Sequence, residues 1–400
     1  MTYRELGEAA VSWVLSQVRD EDGPWLADAA AADRDTLYVG IAGLAPLLAE
    51  IRLARDWSDV EQDLAHGVVA RLVRQDVEEA SLYDGLAGFA TAVRLLSPGQ
   101  EAGLLDRLRA TRTPAGWHST WGMEGADCLT DVIGGTAGIL MTQLWAGEDV
   151  DARPLLDVAE ETPHGLDWRM YPAYRSSSPN FSHGTAGVAS LLALTGHVDA
   201  AVKGAEHLLG VGTLDEHGFA VPHTIPDSTR DVERFTWTWC HGPTGTSQLF
   251  AALAAGGVRE VQGYDVTWLR RQCFAAVLDA GVPQRLRPGF WDNDGRCCGT
   301  AGVGDVLLDA AQDLQDEQLL AAAVTMADAL VERAVDGSRW RFVEHRNDDP
   351  LLPPGTGWMQ GAAGIAAFLL RLARVQEQGL DAPVVTRPDQ WWAVHERLRA

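Results

Sequence analysis

The sequence predicts an all-α protein, an α/α toroid in which about seven inner helices form a barrel wall and about seven outer helices cover it. Three observations carry this. A Gly-x-x-Gly motif recurs seven times, each copy opens a segment that is apolar on nearly all sides, and the segments between copies repeat their apolar residues at helical spacing.

The repeats begin at Gly40, Gly85, Gly135, Gly184, Gly242, Gly299 and Gly361. Successive intervals of 45, 50, 49, 58, 57 and 62 residues leave room for two helices and their loops. The stretch after each motif, such as Val188 to Leu194, reads as a helix buried on both faces. The stretch from Val60 to Val73 has a one-sided pattern and reads as an outer helix with one wet face. In a closed ring the glycine turns gather at one end of the barrel. There, either they only permit close packing, or some take φ > 0 and the helix N-termini aim free N–H groups at a shared central space that favours anions.

The longest gaps lie late in the chain. Gly212 to Asp227 and Ser338 to Pro350 contain short alternating runs expected to form small β-hairpins or ordered loops. The tail from Asp381 to Ala400 carries Trp391 and Trp392, and the cost of exposing them predicts that it packs back on the surface. Residues 1–400 read as a single domain, because a closed repeat architecture shares one core.

Bulk composition excludes several classes. Apolar residues at 46% suffice for a large core, and 32 basic against 56 acidic side chains leave a formal charge of −24. That field repels nucleic acid and anionic lipid, and favours a basic or neutral partner. No run of about 18 apolar residues occurs, so no membrane span is expected. The opening Met1 to Glu8 carries acids where a secretory signal carries basic residues, which predicts a cytoplasmic location. Five cysteines, an odd number, argue against a disulfide scaffold.

The chemistry converges on two glycine turns. Cys240 precedes Gly242, and the adjacent Cys297 and Cys298 precede Gly299, in neighbouring repeats. Three thiolates can occupy three corners of a tetrahedral zinc site and leave the fourth open; the alternative is three buried structural cysteines. Cys128 and Cys273 lie outside any glycine turn and read as structural. Asp292-Asn293-Asp294 reads as a turn rather than a metal site, and Asp227 to Glu233 as a solvated loop. The glycine motifs lack Gly-Lys-Ser/Thr, so no nucleotide is implied. A glycosidase reading lacks a second acid to pair with Asp131.

Trp239-Cys240-His241-Gly242, Cys297-Cys298-Gly299 and Ser182-His183-Gly184, set among seven glycine repeats, resemble the lanthionine synthetase C-like family, the lanthipeptide cyclases, from roughly Tyr38 to Leu370. The resemblance implies an α/α toroid holding one catalytic Zn2+ per chain. It also implies the addition of peptide Cys thiolates to dehydroalanine or dehydrobutyrine in a ribosomally made precursor. By position Cys240 and Cys297 match zinc cysteines, and Cys298 stands where a histidine ligand is usual, a variant found in a subset of the family. Three thiolates give the zinc site a net charge of −1 and make a bound substrate sulfur more electron-rich.

His183 matches the acid/base histidine, Asp131 an active-site aspartate that either orients a histidine or caps a helix, and His241 follows the first zinc cysteine where tyrosine is frequent, as a candidate catalytic acid, a peptide contact or a space-filling side chain. Thr236 stands in place of an arginine, which leaves enolate stabilisation open to Arg234 and other groups. The implied partners are a dehydrated Cys-containing precursor peptide and the dehydratase or kinase-type enzyme that makes it, since 400 residues leave no room for a dehydratase domain. Two other functions fit the same residues: addition of glutathione or another small thiol to dehydroamino acids, and a non-catalytic leader-peptide-binding scaffold of a biosynthetic complex.

Overall fold

The computed structural model describes residues 1–122, 127–227, 234–284, 293–343 and 351–400. Seven helices each begin at or beside a repeat motif: α2 Leu44–Ala54, α4 Leu86–Leu96, α6 Thr136–Trp145, α8 Thr185–Leu194, α10 Pro243–Ala255, α12 Thr300–Leu314 and α14 Ala362–Gln378. Each touches the next, and α14 touches α2, so the inner ring closes. Their Phe89, Phe250 and Phe368 are fully buried, each contributing roughly 2–3 kcal/mol relative to an exposed ring.

The outer layer comprises α1 Tyr3–Ser16, α3 Asp59–Leu72, α5 Ala102–Thr111, α7 Arg153–Leu156, α9 Val198–Val211, α11 Val266–Asp279 and α13 Glu317–Arg333. These helices show one buried stripe; in α3 it is Leu64, Val68 and Leu72, while Val60 faces solvent. In the third repeat the outer helix shrinks to the single turn α7, followed by the hairpin of β3 Glu160–Thr162 and β4 Gly165–Asp167. The chain is the α/α toroid that its periodicity predicts, with no closed sheet among the described residues.

The expected late hairpins form. β5 Thr213–Asp215 pairs with β6 Gly218–Ala220, and β9 Phe342–Val343 pairs with β10 Leu351–Leu352. Residues 344–350 between the latter strands, most of the predicted loop at 227–233, and Asp292 lie outside the described residues. Asn293 hydrogen-bonds the backbone of Val343, and Asp294 is ion-paired with Arg333, so both serve the turn.

Two expectations need correction. None of the motif glycines has positive φ. The second glycine of every motif is required for a different reason: a Cβ there would strike the carbonyl oxygen six residues upstream, on Leu37, Leu82, Val132, Phe181, Trp239, Arg296 and Trp358 in turn. The same folding-back uses the helix N–H groups. Thr136, Ala137 and Gly138 donate to the carbonyls of Leu129, Thr130 and Asp131, seven residues upstream, and Leu86, Thr185, Thr300 and Ala362 follow the same rule. Those inner-helix donors are therefore spent on their own loop and are not free for an anion.

The tail is the other correction. It packs into the barrel, where Trp392 donates from Nε1 to the Gln248 carbonyl at 3.0 Å and sits against Phe181. Its Arg387 reaches Asp305 of α12 at 3.0 Å. Asp305 also receives Arg296 at 2.7 Å and Arg371 at 2.9 Å, all nearly or fully buried. A buried carboxylate needs compensating donors, and the tail supplies one; that pairing draws it inward.

Candidate metal centre

The residue two places before each motif glycine builds the site. Its N–H donates to the carbonyl of the equivalent residue in the next repeat: Tyr38 to Tyr83, Tyr83 to Ile133, Ile133 to Ser182, Ser182 to Cys240, Cys240 to Cys297, Cys297 to Met359 and Met359 back to Tyr38. These seven bonds, 2.9 to 3.4 Å long, form a closed circle of backbone at the mouth of the barrel. Cys240 and Cys297 are neighbours on it. Cys298 is the residue just before Gly299, the N-cap of α12.

The three cysteines converge. Sγ of Cys298 lies 3.4 Å from Sγ of Cys240 and 3.4 Å from Sγ of Cys297, and all three sulfurs lie within 4.8 Å of one another. Zinc with sulfur ligands at about 2.3 Å separates tetrahedral sulfurs by about 3.8 Å, so this triad fits a tetrahedral metal with one corner left over. Soft thiolate donors favour zinc over magnesium or calcium. Hydrogen bonds from Cys240 and then Cys298 hold Cys297 well below the usual thiol range despite its burial. Burial, together with Cys297, pushes Cys240 up, and the hydrogen bonds to Cys240 and Cys297 push Cys298 up. The Thr238 hydroxyl lies 3.3 Å from Sγ of Cys240.

Beside the sulfurs, Nδ1 of His183 lies 2.6 Å from Oδ2 of Asp131. Asp131 is fully buried and its other oxygen accepts from the Gly134 N–H at 2.9 Å. It orients a histidine and is not a helix cap, since Gly135 holds the N-cap place of α6. Burial opposes the charged imidazole of His183, but the hydrogen bond and charge of Asp131, with a smaller contribution from Cys297, outweigh it and raise the pKa above the usual value. His241 behaves oppositely: burial first, then His223 and His183, hold it well below the usual histidine range.

The ring of His241 lies 5.3 Å from that of His183 and 4.3 Å from that of His223, which it meets edge to face. Thr236 turns its hydroxyl to the His241 carbonyl at 2.8 Å. Arg234 is exposed, with its guanidinium over Phe235 and 3.5 Å from Asp227. Cys273 is buried within α11 and Cys128 is half-buried after a loop, both apart from the triad.

Sequence reasoning missed His223 and Tyr38. His223 follows the β5–β6 hairpin, and only the tertiary fold brings it to His241. Tyr38 carried a signal, since it occupies in the first repeat the place held by Cys240 and Cys297 in the fifth and sixth.

Among solved structures the fold is similar to that of nisin cyclase, with a TM-score of 0.60 at 16% sequence identity, over 98% of this chain and 96% of that one. No curated protein matches the chain by sequence. Residues 31–383 match the family model for lanthionine synthetase C-like proteins, and the chain belongs to that family.

Proposed function

We propose that this chain is a lanthionine and methyllanthionine cyclase that adds the Cys thiols of a dehydrated, ribosomally made peptide to its dehydroalanine and dehydrobutyrine residues, with one zinc held by Cys240, Cys297 and Cys298. The observation that supports this reading is the buried thiol triad beside the His183–Asp131 pair. When bound, zinc supplies the Lewis acidity that keeps a substrate thiol deprotonated near neutral pH.

The reaction adds S–H across a carbon–carbon double bond. A bond forms between sulfur and Cβ, the π pair moves onto the neighbouring carbonyl as an enolate, and a proton returns to Cα, with no oxidant or reductant consumed. His183 is suited to hold that proton. Asp131 occupies Nδ1, so Nε2 is the exchanging atom, and the carboxylate's hydrogen bond and charge favour the imidazolium. Neutral His241 forms the adjoining wall without competing as a cation.

The formal charge of −24 suits a basic or neutral peptide. The dehydrated residues come from a separate dehydratase or kinase-type enzyme, and residues 1–400 act as one cyclase domain in the cytoplasm. Metal analysis should give about one zinc per chain, and Cys240→Ala should lose both the zinc and ring formation, read as free thiols by alkylation and mass spectrometry. A metal-free protein with full activity would sink the proposal. A preference for glutathione over an internal Cys would point to small-thiol addition instead.

A further inference from the structure

The segment that leads into Cys240 has two faces. Thr236 and Thr238 are buried toward the metal centre, the first donating to the His241 carbonyl at 2.8 Å and the second lying 3.3 Å from Sγ of Cys240. Side chains along an extended run alternate between faces, and the intervening Phe235 and Trp237 are half-buried. They line a groove of about 530 Å³ together with Asp215, His217, Asp279 and Gly281. Ligand clefts span roughly 300–1,000 Å³, so the groove is large enough to hold a side chain and its flanking backbone.

Independent features of the groove point to a cation. Phe235 and Trp237 present two rings with centroids 6.4 Å apart, and ring faces attract a guanidinium or ammonium. The guanidinium of Arg234 already lies over Phe235, 5.2 Å from its centre. The carboxylates of Asp215 and Asp279 stand against a single histidine, His217, whose Nδ1 is 3.0 Å from Asp279. The groove also receives the C-terminus of α11, whose last turn carries no basic residue. A helix C-terminus favours a positive charge.

We propose that this groove is a subsite for an arginine or lysine side chain of the substrate peptide, beside the thiol triad and separate from it. The inference rests on the reading of the chain as an enzyme that acts on a peptide. Trp237 precedes Cys240 by three residues, at most about 11 Å of chain. An extended peptide with its reacting Cys at the triad therefore brings a residue three or four positions away to the groove. The formal charge of −24 attracts a basic peptide from every side. The groove gives that attraction an address, and a basic residue held there fixes which Cys reaches the triad.

The test measures binding apart from chemistry. The full chain is titrated at low salt with a Cys-free pentapeptide carrying one central arginine, and with the same peptide carrying uncharged citrulline in its place. Wild type should prefer the arginine peptide by about fivefold in Kd. Asp279→Asn and Phe235→Leu should each remove most of that preference, whereas Asp76→Asn, which deletes an equal charge from a fully exposed residue paired with Arg107, should keep it. With a dehydrated peptide that contains Cys and arginine, the two groove variants should raise KM and leave kcat, since neither side chain belongs to the triad or the His183–Asp131 pair. Equal binding of the two pentapeptides by wild type, or an equal loss in Asp76→Asn, overturns the inference. A wild-type protein that shows the arginine preference yet forms no thioether leaves the subsite standing and overturns the cyclase reading.

Discussion

Asp131 and His183 come from adjacent repeats, and the buried carboxylate of the first meets Nδ1 of the second at 2.6 Å. The pair fixes the imidazole by one nitrogen and stabilises its charged form. Removing the carboxylate charge in Asp131→Asn leaves burial opposed only by the smaller contribution of Cys297, so the His183 pKa should fall. A rate that depends on the imidazolium should then lose its upper pH limit at lower pH and drop at neutrality by about 100-fold or more. The NMR titration of His183 and the pH–rate profile check this together. The stability sign follows: because the folded-state pKa is raised, the pair's contribution is fully present below the ordinary histidine value and is lost as pH rises through the folded one. The stability gap between wild type and Asp131→Asn should therefore narrow at alkaline pH.

Glu61 makes the opposite case in the outer layer. It closes the capping box of α3 with Ser58 and pairs with Arg55 at 2.8 Å, and the Arg55 hydrogen bonds, opposed by burial and helped by Ser58, lower its pKa from 4.5 to about 2. A depressed carboxylate gives stability that is present above its unfolded value and lost as pH falls through the folded one. Glu61→Gln keeps the cap and loses the charge. It should cost about 1 kcal/mol at pH 7, with the difference from wild type shrinking as pH falls from 4.5 toward 2, as read from urea unfolding at each pH.

Asp305 collects Arg296, Arg371 and Arg387, and is held far below the usual carboxylate range: burial opposes its charge, and the three arginines outweigh that cost. The neighbouring Asp309, buried beside Asp305, is pushed up to about 6 even with Arg371 close by. Removing one partner from such a cluster leaves a buried charge short of compensation. Arg387→Met should therefore destabilise the protein by about 3–5 kcal/mol. It should also release the tail, visible as faster amide exchange and proteolysis around Trp391 and Trp392. Unchanged exchange there would mean that apolar packing alone holds the tail.

The sequence carried the architecture because each inner helix is announced by two glycines whose backbone contacts admit no side chain, a constraint that leaves a readable trace at all seven repeats. The thiol triad was legible for the same reason, since repeat position alone puts Cys240 beside Cys297. What escaped were features without a local signature. Arg371 and Arg374 sit on a helix that reads as apolar yet are fully buried against carboxylates of α12 and α2. The tail looks like surface until Arg387 is matched with Asp305, and His223 joins His241 through a loop whose path no periodicity records.

The glycine rule yields the last prediction. A Cβ on Gly245 would strike the Trp239 carbonyl and the side chain of Phe181, one residue from Cys240 on the loop that carries it. Gly103, near the start of α5, has nothing within 4 Å of its Cβ position and no positive φ. Gly103→Ala should stabilise the protein by about 0.5 kcal/mol, through the reduced freedom of the unfolded chain. Gly245→Ala should destabilise it by about 3 kcal/mol, as forced overpacking does. The collision is with backbone, so the relief must come from the turn that holds Cys240, and zinc content should fall along with stability. Thermal unfolding and metal analysis of the two variants side by side make the comparison, and normal zinc content in a destabilised Gly245→Ala would separate the packing role of that turn from its role at the metal.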